Sequence, residues 1–368
     1  MVFQGGTGGT ARLKAIRQAE LHSLEPDEVA STLEAGIEGE TTQIILERMD
    51  RGKEGWERLL VDRLRLKHYQ WKTEQTYRDW ANRFVQWRGK VGLDGASAED
   101  VKGFLTYLAS ERDVAASTQR QALNALVFLF REVLGAEPGD LSGFQTSRRP
   151  TRVPTVLTEA ECMMLFGELD GMAQIMAKLT YGAGLRVTEL IRLRIQDIDF
   201  DRGIVTVRAG KGGKDRVTVL PEALKVPLSR HFIDLREVYE RDREAGVPGV
   251  WLPSVVEHKI PKAGASWSWQ WVFPSRQLAV DPRSGVQRRH HVSDAAFQTA
   301  IRKAADKAGI AKRVTPHTLR HSFATHLLRS GHDIRTVQEL LGHAKVETTM
   351  IYTHVLNKPG VSVRSPLD

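Results

Sequence analysis

Residues 97–108 read Ser97-Ala98-Glu99-Asp100-Val101-Lys102-Gly103-Phe104-Leu105-Thr106-Tyr107-Leu108. A hydroxyl followed three residues later by a carboxyl is the signature of a capping box, in which two unpaired helix-end donors are satisfied reciprocally. Behind it, Val101, Phe104, Leu105 and Leu108 recur at steps of three and four, so one helix face is apolar. The same spacing extends on both sides. Leu59, Leu60, Leu64 and Leu66 form one run, Tyr77, Trp80, Phe84 and Trp87 a second, and Ser117 and Thr118 introduce a fourth through Leu123, Leu126, Phe128, Leu129 and Phe130. Four helices without strand signals predict a compact all-helical domain over residues 58–140.

From Gly135 to Pro154 the composition shifts to Gly, Pro, Ser and Arg, which predicts an interdomain linker at 141–155. A second capping box, Thr158 with Glu161, opens a larger domain over 156–368. It begins helically and then contains a short hairpin whose strands alternate apolar residues, Val205 and Val207 before the turn and Val217 and Val219 after it. A long polar helix follows Pro221 toward Glu244, an irregular aromatic and Pro-rich stretch spans 246–282, and helices resume from Ser293 to Tyr352. The expected fold class is mainly α with a small antiparallel β element.

The chain has 368 residues, 53 Lys and Arg against 45 Asp and Glu, and a formal charge of +8, which favours a polyanionic partner. Residues 1–57 run the other way, with 6 Lys and Arg against 11 Asp and Glu, so the basic balance belongs to the body of the protein. This Gly-rich, acidic leader has a composition compatible with disorder and no assignable role. No run approaches the ~20 apolar residues of a membrane span, and no signal-peptide pattern is present, so a cytoplasmic protein without membrane partners is expected. The single cysteine, Cys162, excludes an intramolecular disulfide and is read as a small apolar helix residue.

Residues 317–321 read His317-Thr318-Leu319-Arg320-His321, with Thr315-Pro316 as a helix-start signal before them. His317 and Arg320 share a face of the first turn, where backbone N–H groups favour an anion. His317 and His321 at i, i+4 are also a zinc spacing, but Thr318 stands where a metalloprotease helix needs its general-base Glu. Arg186 stands in Gly184-Leu185-Arg186-Val187-Thr188-Glu189-Leu190, and Lys211 in Gly210-Lys211-Gly212-Gly213-Lys214 at the hairpin tip. Taken alone, the first reads as an ion-paired helix residue. The second differs from a nucleotide P-loop because no Ser or Thr follows the Lys and a strand, not a helix, comes next. His343 ends Leu340-Leu341-Gly342-His343, and Tyr352 follows nine residues later. Each singly reads as an ordinary helix-end histidine or half-buried tyrosine.

In this order, Gly-Leu-Arg-Val-Thr-Glu-Leu, a hairpin Gly-Lys-Gly, His-x-x-Arg, Leu-Gly-His and a terminal Tyr resemble the tyrosine recombinase family, over roughly residues 59–368. The resemblance implies a helical DNA-clamping, core-binding domain followed by the family's catalytic domain. It places Arg186, Lys211, His317, Arg320, His343 and Tyr352 at six active-site positions, and implies a 3′-phosphotyrosyl intermediate at Tyr352. Lys211 would then be the general acid, Arg186 and Arg320 the phosphate ligands, His317 a support for proton transfer and His343 a hydrogen-bonding residue. No metal and no cofactor are called for, because two permanently charged guanidiniums can do the work of a divalent ion at the phosphate. A homotetramer on DNA and a bacterial, nucleoid-associated location are further implications.

Val250 through Pro261, Trp267-Ser268-Trp269-Gln270-Trp271-Val272-Phe273-Pro274-Ser275, and Arg288 through Val292 resemble the extra segment of integron integrases. These recombine a folded single-strand hairpin as well as a duplex site, exchanging gene cassettes. Trp269, Pro282, His290 and His291 would hold its protruding bases. Alternatively, Trp267, Trp269 and Trp271 line one face of a strand in the core. Two rival functions stand beside this one: a phage-type integrase or chromosome-dimer resolvase confined to duplex DNA, and a DNA-binding regulator of the same fold that has lost cleavage.

Overall fold

A computed structural model describes residues 55–137, 154–208, 215–260, 262–282 and 284–352. The chain forms two compact units. In the first, helices α1 (Gly55–Leu66), α2 (Trp71–Arg88), α3 (Ala98–Ser110) and α4 (Ala116–Leu129) surround a core of Leu60, Leu64, Trp80, Phe84, Phe104, Leu105, Leu126 and Phe130. The capping box at Ser97 is formed: the Asp100 N–H donates to Ser97 Oγ at 3.3 Å, and the Ser97 N–H donates to the Asp100 carboxylate at 2.8 Å. Two ion pairs pin α1 to α2, Arg65 to Glu74 at 3.0 Å and Arg78 to Glu57 at 2.9 Å. α4 begins earlier than its hydroxyl residues suggest. Its N-cap is Ala115, which offers no side-chain cap, and the Ala115 carbonyl takes the Thr118 and Gln119 N–H groups.

The expected linker lies outside the described residues except for 154–155. The second unit opens at the Thr158 capping box, with Glu161 N–H on Thr158 Oγ1 at 3.1 Å and Thr158 N–H on Glu161 at 2.7 Å. Helices α5 (Glu159–Gly167), α6 (Gly171–Ala183) and the one-turn α7 (Val187–Leu190) follow. Cys162 is buried on α5, and burial pushes its thiol up to about 12, so it is an inert core group.

A three-stranded antiparallel sheet comes next, in the order β1 (Ile198–Asp199), β2 (Ile204–Val207), β3 (Arg216–Val219). On β2 the inward residues are Val205 and Val207, as the alternation predicts. β3 corrects the expectation. Val217 and Val219 are 51% and 43% exposed, and the inward face carries Arg216 and Thr218, paired across the ladder with Val207 and Val205. The reason is chemical: Thr218 donates its hydroxyl to the Ala183 carbonyl at 2.9 Å, and Arg216 reaches a buried carboxylate. The tip, with Lys211, lies outside the described residues.

Helix α8 (Glu222–Glu244) is the long polar helix expected after Pro221. The stretch expected to be irregular contains the short helix α9 (Ser254–Lys259) and two single 3-10 turns, and it runs into a hairpin of β4 (Pro274–Val280) and β5 (Gln287–His291). Helices α10 (Asp294–Lys307), α11 (Pro316–Arg329), α12 (Ile334–Leu341) and α13 (Glu347–Met350) complete the unit. The architecture is therefore mainly helical with small antiparallel sheets, and α11 packs against α6 at its centre.

Gly184 shows how tightly that centre is built. It closes α6 with φ +63°, and a Cβ there would meet the Phe323 ring of α11 at 2.5 Å and Leu341 of α12 at 3.1 Å. Gly184→Ala is expected to cost about 1–2 kcal/mol in backbone strain and a further ~1–3 kcal/mol in overpacking. Urea unfolding checks this, and a variant as stable as the parent would contradict it.

Candidate active site

Four side chains, one carboxylate and three guanidiniums, anchor the site before any ligand enters. Glu189, at the end of α7's first turn, accepts from Arg186 at 2.7 Å, takes a two-pronged contact from Arg216 at 2.8 and 2.7 Å, and lies 3.8 Å from Arg320. Arg216 and Arg186 hold its carboxyl down to about 2, against the burial that would raise it. The guanidiniums are also held by carbonyls. Arg320 donates to Gly184 and to Leu341, the latter at 2.6 Å, Arg186 donates to Leu341 at 3.3 Å, and Arg216 donates to Leu340 at 3.0 Å. The Leu340 and Leu341 carbonyls belong to the C-terminal turn of α12 and the Gly184 carbonyl to the C-cap of α6, where orphan acceptors and the helix dipoles favour cations.

Arg320 is almost wholly enclosed, and burial together with Arg186 lowers it to about 9, which still leaves it charged at neutral pH. One carboxylate beside three guanidiniums leaves the site with excess positive charge. Such a site is preorganised for an anion.

The same field keeps the neighbouring histidines neutral. His343 follows Gly342, the left-handed C-cap of α12, and burial together with Arg320 and Arg186 pushes it down to about 3. Its Nε2 lies 3.2 Å from Arg320, which can only donate, and its Nδ1 lies 2.9 Å from Thr349 Oγ1. The tautomer with hydrogen on Nδ1 satisfies both. His317 sits exposed in the first turn of α11, behind the Thr315 cap, and is lowered by partial desolvation and by Arg320 and Arg186.

Tyr352 is 1% exposed and packs with Phe323, Ala324, Val337 and Leu341. Its hydroxyl lies 3.0 Å from His321 Nδ1, and its ring stacks at 6.3 Å on His343. Burial raises its pKa, opposed by Arg320 and Arg186.

Of the six residues singled out, Arg186, Arg320, His343 and Tyr352 converge on one place, with His317 on the same helix as Arg320. Lys211 lies outside the described residues. Sequence reasoning missed Glu189, Arg216 and Thr349, and it met His321 only as half of a zinc pair. Glu189 was findable, being i+3 from Arg186 inside the quoted motif. His321 instead holds Tyr352, its ring 6.5 Å from that of His317, and no group of three or more metal-ligating side chains occurs among the described residues.

The four residues expected to meet bases lie elsewhere, in 246–291. Trp267, Trp269 and Trp271 do not share a strand face. Trp267 and Trp269 bound a 3-10 turn, and Trp271 forms an isolated bridge to Arg194. Trp271 is buried, Trp267 packs half-buried against Phe232 and Tyr239, and Trp269 is half-buried outside the core clusters. His291 meets the Trp271 ring edge-on at 4.9 Å, and the His290 Nε2 is buried without a partner. Burial lowers both histidines. Pro282 lies in the turn between β4 and β5.

With that geometry in place, the comparisons are informative. Residues 155–358 match the model of the phage integrase family, and residues 58–140 match its N-terminal SAM-like domain. The chain belongs to the phage integrase family, the tyrosine site-specific recombinases. An integrase/recombinase of Escherichia coli is 48% identical over 309 residues, covering 84% of this chain and 92% of that protein. The tyrosine recombinase XerD of Ralstonia nicotianae is 31% identical over 294 residues, covering 77% and 83%. Among solved structures, the XerH site-specific recombinase bound to difH substrate, a pre-cleavage complex, aligns with a TM-score of 0.54 at 20% identity over 86% of this chain and 85% of that one. No helix among the described residues is long and apolar enough to cross a membrane.

The depressed values fix an acid limit. His343 and His321 fall to about 3 and about 4, below the ~6.5 of an unfolded histidine, and Glu189 falls to about 2. The unfolded chain therefore binds protons first as pH falls. The stability is fully present above about pH 6.5 and is lost as pH drops toward 4 for His321 and toward 3 for His343, with Glu189 adding a further loss below about 4.5. Calorimetry is expected to show the melting temperature falling by at least ~5 °C between pH 7 and pH 4.5, and less in His343→Gln. A flat profile in the parent protein would contradict it.

Proposed function

We propose that the chain is a site-specific DNA recombinase of the integron-integrase kind, which cleaves and rejoins DNA through a 3′-phosphotyrosyl bond at Tyr352. The observation that carries the reading is the convergence of Arg186, Arg320, His343 and Tyr352 from four separate segments onto one positively charged cluster around the Glu189 carboxylate.

In the proposed reaction the scissile phosphate docks against Arg186 and Arg320, whose charges stabilise the negative charge gathering on the non-bridging oxygens. Tyr352 Oη attacks phosphorus in line, losing its proton with help from His317, while the bond to the 5′-oxygen breaks and Lys211 protonates that oxygen. His343 donates a hydrogen bond to the phosphate once Arg320 turns from its Nε2 to the anion and the imidazole hydrogen shifts from Nδ1 to Nε2. The phosphotyrosyl bond keeps the energy of the phosphodiester, so attack by a 5′-hydroxyl reverses the step without a nucleotide cofactor. Exchange of two arms takes four such sites, hence a homotetramer assembled on DNA.

The integron assignment draws support from the segment 246–291. Trp269 is a half-buried ring that no core cluster claims, and His290 carries an unpaired buried nitrogen, which is chemistry suited to an unstacked base. By this reading Trp269, Pro282, His290 and His291 grip protruding bases of a folded hairpin site, and the partners are that hairpin and a duplex site.

Tyr352→Phe is expected to bind DNA within about threefold of the parent and to form no covalent adduct on a suicide-nicked site, since only the attacking oxygen is removed. Adduct formation is expected to persist in excess EDTA. An adduct in the Phe variant would mean a different nucleophile. Trp269→Ala separates the integron reading from a duplex-only recombinase: loss of one stacking contact should weaken hairpin binding by ~1–3 kcal/mol and leave duplex cleavage nearly unchanged. Equal losses on both substrates, with a lower melting temperature, would assign Trp269 to packing instead.

A further inference from the structure

The partner of Tyr352 in the DNA-free protein is His321, a residue outside the six that the reaction uses. Its Nδ1 is 3.0 Å from the phenol oxygen, and the rings are 5.5 Å apart at 52°. The direction of this bond follows from charge state. Burial, with His317 and Arg320, pushes His321 down to about 4, so its imidazole is neutral at pH 7, and the phenol, raised by burial, keeps its proton. The phenol donates and Nδ1 accepts, which leaves the hydrogen of His321 on Nε2.

Position makes the contact more than a passing hydrogen bond. His321 follows Arg320 directly on α11, a helix capped by Thr315 and buried through Ser322, Phe323, Ala324 and Thr325. The residue that would meet the phosphate and the residue that holds the tyrosine are thus fixed to one rigid element. The Tyr352 ring also lies against His343, which is itself tied to Arg320 at 3.2 Å. With the phenol 1% exposed and bonded inward, its oxygen cannot reach a phosphate until this bond breaks. An anion that draws Arg320 away from His343 loosens one wall of the slot.

We propose that His321 is a positioning residue that latches Tyr352 in an inward, resting pose and releases it when a phosphate occupies the arginines. The latch keeps a phosphotyrosyl-forming hydroxyl from solvent and from misplaced DNA, and its strength sets how often the tyrosine is free to attack. The importance of the latch rests on the function proposed above, but the contact itself is measurable without DNA.

The test is nitration of the DNA-free protein by tetranitromethane, with Tyr352 and Tyr107 followed separately by peptide mass spectrometry. Tyr107 belongs to the other unit and is the internal reference. In His321→Leu, which removes the acceptor, Tyr352 is expected to nitrate about two- to tenfold faster, the factor that one net hydrogen bond is worth. In His321→Asn, whose amide oxygen can stand where Nδ1 does, it should stay within about twofold of the parent. Single-turnover adduct formation by His321→Leu on saturating suicide substrate should be no slower than the parent's. Unchanged nitration in the Leu variant overturns the proposal, as does an equal rise in both variants, which would mean general loosening. Cleavage slowed tenfold or more in His321→Leu also overturns it, making His321 a proton acceptor in the reaction. An adduct that survives Tyr352→Phe would instead defeat the proposed function and leave the nitration result standing.

Discussion

Glu189 brings one negative charge into contact with the guanidiniums of Arg186 and Arg216 and within 3.8 Å of Arg320. Three buried or half-buried cations cannot otherwise stand so close, because their mutual repulsion adds to the desolvation each already suffers. A second carboxylate would halve the net charge of the cluster, from +2 to +1, and weaken its hold on a phosphate. With one, the cluster is stable enough to fold and still short of negative charge. The carbonyls of Gly184, Leu340 and Leu341 supply the rest of the compensation as dipoles, fixing each guanidinium without cancelling its charge.

Much of the surrounding chemistry follows from that cluster. His343 and His321 are held neutral partly by the arginines, so each can accept a hydrogen bond, one from Arg320 and the other from Tyr352. β3 faces inward with Arg216 because Glu189 is there to receive it, at the expense of the apolar alternation its valines suggest. Gly184 must lack a side chain because the turn that delivers Arg186 passes directly over Phe323 of α11. The site therefore depends on contacts between α6–α7, β3, α11 and α12, elements far apart in sequence.

That distance explains what the sequence could show. Features closed within a few residues were legible: the capping boxes at Ser97 and Thr158, the Thr315-Pro316 start of α11, and the long helix after Pro221 all form where local chemistry demands. Features settled by a distant partner were not. Val217 and Val219 look like an inward face until Thr218 finds the Ala183 carbonyl 35 residues away. The three tryptophans at alternate positions look like a strand until Arg194 takes the Trp251 and Trp269 carbonyls at 2.7 and 2.8 Å and lies 3.1 Å over the Trp271 ring, bending the segment around itself. The four convergent site residues were readable only as an ordered set. Glu189 and His321 fall inside the same motifs, but their roles depend on which neighbour each meets in space.

Arg194 shows that the segment 246–291 is built on the same principle as the active site. A buried cation, lowered to about 9 by its desolvation, gathers two carbonyls and an aromatic face from a stretch with little regular structure of its own. The pair Arg289–Asp242, at 2.6 Å, does the same for the β4–β5 hairpin against α8, and Arg289 also takes the Ser275 carbonyl at 2.9 Å. A charged side chain costs more to bury than an apolar one, but its forked donors fix direction as well as distance. An apolar contact in these places would hold the segment down while leaving it free to slide. Under the function proposed above, the segment presents particular rings and imidazoles to a nucleic acid base; two arginines fix its backbone in register for that.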